Sequence, residues 1–215
     1  PANRISVTLA GDLDQRIMLG RKNETWEESL GHLTLPDGSK PDVTALEPLK
    51  IGYRSTNEIM VAAKNVIGEY SANTEWHSTR HGAPVDVFRF KQRGAMIAFL
   101  AETLKDLSIR EPLANVAVLT RTPETAEFIY EGLKITDLSD YRIIREQEFT
   151  FTPGIDVTDI TQTKGLEFDS VIIADVDAST YGPDIRSRQL LYVGLTRASH
   201  QLWLLHCGNP SSLIK

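Results

Sequence analysis

The chain has 215 residues, room for one full domain with a remainder, and its 41% hydrophobic and 24% charged content excludes wholesale disorder. A net charge of −6 argues against a free-standing DNA binder, which needs clustered Lys and Arg, while leaving room for a local basic groove. The single cysteine, Cys207, excludes an internal disulfide and fits a reducing, cytoplasmic setting; the five histidines lack metal-ligand spacing, and no apolar run approaches the ~18 residues of a membrane span.

Pro1-Ala2-Asn3 carries no initiator methionine and no signal-peptide pattern, and leads at once into an apolar strand, Ile5 to Ala10; this is the pattern expected of a piece of a longer chain. Gly11 and Asp12 end that strand, placing Asp14 and Gln15 on a loop. Trp26, Leu30 and Leu33 offer one modest helical stripe, and Pro36 to Pro41 is a turn-rich loop. Leu46 to Ile51 is a candidate short strand. Ser55-Thr-Asn-Glu58 then reads as a capping box, and Ile59, Ala62, Ala63, Val66, Ile67 and Tyr70 recur at helical spacing. Arg54 stands just before that helix, where the dipole disfavours a cation unless an anion joins it; a solvated arginine is the plain alternative.

Val85 to Phe90 is a strand, Met96 to Leu107 a helix, and Val116 to Leu119 a strand. Thr122 is expected to cap the next helix, with Pro123 at its first position and Ala126, Ile129, Tyr130 and Leu133 on its buried face. Tyr141 to Phe149 alternates, as an edge strand or hairpin arm does. This rhythm predicts an α/β fold with a mostly parallel sheet flanked by helices.

Asp159 to Asp175 carries the densest set of candidate site residues. Two apolar runs flank a polar loop, setting Lys164, Gly165 and Glu167 at a sheet edge of the kind where α/β proteins bind ligands. Gly165 permits close backbone approach and Glu167 is placed to accept from a ribose hydroxyl; a turn glycine and a solvated carboxylate explain them equally. Gln189 to Ala198 reads as a helical run ending in Arg197, where the dipole alone favours a cation. Gly194 costs about 1 kcal/mol against Ala in a helix interior, so close packing or a ligand is expected beside it.

In order along the chain stand Gly11-Asp-Leu-Asp-Gln15, Tyr53-Arg-Ser-Thr56, Lys164-Gly-Leu-Glu-Phe168 and Leu191-Tyr-Val-Gly-Leu-Thr-Arg-Ala198. Together they resemble the C-terminal motor half of a superfamily 1 DNA helicase of the UvrD/Rep/PcrA kind. The resemblance implies a RecA-like (P-loop NTPase-type) fold, with ATP and Mg²⁺ bound between two motor domains. It assigns Gln15 and Arg54 to the terminal phosphate, Gly165 and Glu167 to nucleotide binding, and Arg197 to the role of arginine finger. Thr161, Gln162, Thr163 and Lys164 match the nucleic-acid-contacting stretch, with Thr161 where close relatives carry a histidine.

No Gly-x-x-x-x-Gly-Lys-[Ser/Thr] loop is present, and no Asp-Glu pair follows an apolar strand, so the chain alone is expected not to hydrolyse ATP. The resemblance divides it into residues 1–20, the last strand and loop of the first motor domain, and 21–215, the C-terminal motor domain. With 111 positions between Arg54 and Gly165, the large accessory domain is expected to be absent or rudimentary. Without the partner domain, Arg54 and Arg197 are expected on an open, solvated face, one or both disordered. The implied partners are single-stranded DNA, or duplex with a single-stranded tail, and the N-terminal motor domain of the same parent, with no membrane. Two alternatives stand beside a 3′-to-5′ helicase or translocase: an RNA-polymerase-associated ATPase of the same kind, and a docking module without catalysis, which would need none of Gln15, Arg54, Glu167 and Arg197.

Overall fold

Apolar strands in the middle of a parallel sheet can be satisfied only if both faces of the sheet are covered. The computed structural model, which describes residues 10–15, 26–34, 38–40, 49–71 and 77–214, has this arrangement. In chain order the elements are α1 (Trp26–Gly31), β1 (Ile51–Gly52), α2 (Asn57–Ile67), β2 (His77–Ser78), β3 (Asp86–Phe90), α3 (Arg93–Arg110), β4 (Asn115–Thr120), α4 (Pro123–Leu133), β5 (Tyr141–Ile143), β6 (Gly154–Asp159), β7 (Phe168–Ile173), α5 (Ile185–Leu195) and β8 (Ala198–Cys207). The strand expected at Ile5–Ala10 lies outside the described residues, apart from Ala10, as does half of the Pro36–Pro41 turn and half of Leu46–Ile51.

The main sheet runs β3-β8-β7-β4-β6-β5 and every pairing in it is parallel. α2 and α5 cover one face, packing on Ala117, Leu119, Val171 and Ile173. α3 and α4 cover the other, on Val116, Val118, Ile172 and Trp203. The expected helix α4 forms as its local chemistry dictates: the Thr122 side chain accepts from the Thr125 amide, and Pro123 enters at the start. Tyr141–Ile143 is indeed at an edge, but it pairs in parallel with β6 and is no hairpin arm.

One expectation needs correction. The polar loop holding Gly165 and Glu167 does not stay at the carboxyl edge where α/β proteins bind ligands; it crosses the sheet, and β4 lies between the two strands it joins. Since β6 and β7 point the same way, the link must run from the carboxyl end of β6 back to the amino end of β7. Thr161 to Thr163 therefore sit in a 3₁₀ turn beyond β6, whereas Glu167 sits just before β7. Register pairs Phe168 with Ala198, so Glu167 and Arg197 enter adjacent strands side by side, at the amino ends and not the carboxyl ends.

Gly194 is explained by packing. A Cβ there would come within 2.8 Å of Ile160 Cδ1 and 3.0 Å of Ile173 Cδ1, so α5 lies directly on the sheet. Gly194→Val is expected to lower stability by about 2 kcal/mol or more through overpacking, read by urea denaturation.

At the carboxyl edge, Asp175 is 6% exposed and accepts from the Arg121 amide at 2.9 Å, while the Arg121 guanidinium lies over the Tyr181 ring and donates to Ser187 Oγ at 2.9 Å. Burial pushes the Asp175 carboxyl up to about 6. An unfolded aspartate titrates near ~3.9, so the contribution of the protonated group is complete below about pH 4 and lost as pH rises through 6. Asp175→Asn is expected to match wild type in denaturation at pH 4 and to exceed it at pH 8 by on the order of 2 kcal/mol.

Candidate functional site

The expected capping box at Ser55–Glu58 does not form. Thr56 caps α2 with no side-chain hydrogen bond. Glu58 turns instead to the segment following β2, accepting from the Gly82 amide at 2.9 Å and pairing with His81 at 3.0 Å. The His81 hydrogen bond first, and the backbone amides after it, hold that carboxyl down to about 2. Ser55, 3% exposed, donates its hydroxyl to the Ala198 carbonyl at 2.5 Å, across 143 positions of sequence.

That bond joins the residue after Arg54 to the residue after Arg197. The Ser55 carbonyl is held in turn by Ser78 Oγ at 2.7 Å, and the Arg80 guanidinium donates to the Arg54 carbonyl. Arg54 Nε forms an ion pair with the Glu167 carboxylate, both side chains about half exposed.

Arg197 is not solvated. It lies beyond the last turn of α5, not within the helix, and is only 1% exposed. Its Nε donates back to the Val193 carbonyl at 3.1 Å and its Nη1 to the Leu166 carbonyl at 2.9 Å. Nη2 donates to Gln15 Oε1 at 2.7 Å and to Thr196 Oγ1 at 3.3 Å. The expectation of an open, solvated face holds for the half-exposed Arg54 but fails for Arg197, because carbonyls freed at the helix end and in the Gly165 loop both accept from its guanidinium. Burial lowers its pKa first, and the nearby charge of Arg54 lowers it further. Arg54, itself paired with Glu167, is thus near enough for its charge to be felt at Arg197.

Gln15 belongs to the same network. Its Nε2 donates to Asp12 Oδ2 at 2.8 Å, and the Tyr192 hydroxyl donates to the same oxygen at 3.4 Å. Gly165 takes a φ of +84°, where side chains are strained, and a Cβ there would meet nothing within 4 Å; backbone conformation, not crowding, requires the glycine. Gln15, Arg54, Gly165, Glu167 and Arg197 are therefore brought to one place. Among the described residues, no group of three His, Cys, Asp or Glu side chains is placed to hold a metal ion.

The stretch Thr161 to Lys164 fares differently. The Thr161 hydroxyl is taken by Asp159, and Gln162 Oε1 accepts from the Gln147 amide at 2.9 Å. Thr163 is fully buried and donates to the Ile160 carbonyl at 2.8 Å, so it offers nothing to a nucleic acid; Lys164 is exposed. Reading the sequence missed Ser55 as a tether, Ser78, Arg80 and Asp12, because their partners are remote in the chain or their motif reads as a local cap.

A family model described as UvrD-like helicase C-terminal domain matches residues 48–153, and a second with that description matches residues 154–205. The chain belongs to the UvrD-like helicases, as a C-terminal part of one. Its fold is similar to the crystal structure of the C-terminal domain of a possible DNA helicase from Lactobacillus plantarum WCFS1, with a TM-score of 0.63, 24% identity, and 76% of this chain and 92% of that one covered. No curated protein matches the sequence. The mostly parallel sheet flanked by helices is that of a RecA-like helicase domain. No described helix is long and apolar enough to cross a membrane.

Arg197→Ala in this UvrD-like domain would strand the Val193 and Leu166 carbonyls and open a cavity. A loss of about 2–4 kcal/mol is expected in urea denaturation, with Arg197→Met recovering part of it by filling the volume.

Proposed function

We propose that this chain is the nucleotide-closing half of an ATP-dependent 3′-to-5′ DNA helicase or translocase, acting on single-stranded DNA or duplex with a single-stranded tail. In this reading residues 1–20 are the end of the first motor domain and 21–215 the second, without a large accessory domain. The observation that carries it is the buried Arg197 bonded to Gln15, with Arg54 in its ion pair to Glu167 near enough for its charge to act on Arg197.

Such a pair of guanidiniums fits the phosphate tail of ATP, whose negative charge would relieve the repulsion. Arg197 would stabilise charge developing on the transferred phosphoryl group, and Arg54 would bind the terminal phosphate. Gln15 would report its presence, Glu167 would accept from the ribose, and the open backbone at Gly165 would let the nucleotide close in. Mg²⁺, which neutralises phosphate charge when bound, and the phosphate-binding loop would come from the N-terminal motor domain of the parent, so this chain alone would not hydrolyse ATP.

A second reading, an RNA-polymerase-associated ATPase, is favoured by one observation: between Arg54 and Gly165 the elements from α2 to β6, apart from β2 in a small sheet with β1, belong to or pack on the main sheet, leaving little chain for an accessory domain.

The test is DNA-stimulated ATP hydrolysis by the full-length parent. Arg197→Lys keeps the charge and much of the volume but not the planar fork. Turnover is expected to fall about a thousandfold with nucleotide affinity changed only a few-fold. Wild-type turnover in Arg197→Lys would contradict the proposal.

A further inference from the structure

The two arginines are borne on segments far apart in the chain, and their charges oppose approach. The ion pair of Arg54 with Glu167 is half exposed and therefore weak, and it does not reach Arg197. A rigid link must come from elsewhere. The side-chain bond that joins the two segments is Ser55 Oγ to the Ala198 carbonyl, one residue along from Arg54 at one end and from Arg197 at the other. Both atoms belong to buried residues, so water does not compete for the bond. The Ser55 backbone is fixed independently by Ser78, itself 5% exposed, and Arg80 ties down the carbonyl of Arg54.

We propose that Ser55 is a positioning residue. By tethering the Arg54 loop to the strand that follows Arg197, it presets the spacing of the two guanidiniums for a polyphosphate. The inference rests on the nucleotide reading above and deepens it. Ser55 touches no phosphate; it acts through Arg54. In its absence the pair relaxes apart, and each ATP that binds must reassemble it before transfer. The loss therefore falls on turnover and not on ground-state affinity.

The test is a four-protein cycle on the full-length parent: wild type, Ser55→Ala, Arg54→Ala and the double variant, each assayed for DNA-stimulated ATP hydrolysis. Ser55→Ala is expected to lower kcat about tenfold to a hundredfold with KM within about twofold. In the Arg54→Ala background the same change is expected to cost less than about twofold, because the residue it acts through is gone. An equal loss in both backgrounds would reduce Ser55 to a general structural role and overturn the proposal, as would no loss in either. Should Ser55→Ala fail to fold, Ser55→Cys, which keeps the volume but donates only weakly to the Ala198 carbonyl, enters the same cycle under the same criterion, with a smaller expected loss of about threefold. Full turnover in Arg54→Ala alone would overturn the nucleotide reading and this inference with it. A deep loss there with equal Ser55 effects in both backgrounds would overturn the inference alone.

Discussion

A cation buried among neutral acceptors is the feature on which the site depends. Among the described residues, Arg197 bonds to two carbonyls, a hydroxyl and an amide oxygen, and to no carboxylate. Taking a guanidinium out of water costs several kcal/mol, and dipoles alone offset this only in part. Stability by itself does not favour the arrangement. Under the proposed function a nucleotide would supply the missing charge, and a group already desolvated and oriented would have no reorganisation left to undergo when negative charge develops nearby.

The sheet makes that placement possible. All its pairings are parallel, so every chain segment must return to the amino edge before entering its next strand. The returns before β7 and β8 end in Glu167 and Arg197, and the register of those strands makes the two neighbours. The covering helix α5 lies close on the sheet at Gly194, which brings the end of the helix, and with it Arg197, down to the level of the Leu166 carbonyl. Arg54 reaches the same place from a different layer, through the loop before α2 and its tether to Ala198. Packing and hydrogen bonding thus converge on one spot from elements with no local sequence relationship.

What could be read in the sequence follows that distinction. Thr122 and Pro123 were legible because a cap is made by neighbours in the chain. The strands were legible as apolar runs, but double burial hides their two faces, and with them the order in which they pair; hence β4 between β6 and β7 was not foreseen. Ser55 and Glu58 have the spacing of a capping box, yet Ala198 on one side, and His81 with Gly82 on the other, compete successfully for both side chains. Arg197 has a sufficient local explanation in the helix dipole, and only the fold reveals that it is buried. The motifs single out Gln15, Arg54, Gly165, Glu167 and Arg197, which the fold brings together; their burial and mutual contacts are properties of tertiary structure.

The most direct test of the account is a crystal structure of the full-length parent with ADP and aluminium fluoride bound in place of the transferring phosphate. The account requires the Arg54 and Arg197 guanidiniums both within hydrogen-bonding distance of the fluoride ligands, with Nη2 of Arg197 released from Gln15. Arg197 still committed to the Val193 and Leu166 carbonyls and to Gln15, with no contact to the phosphate mimic, would contradict it.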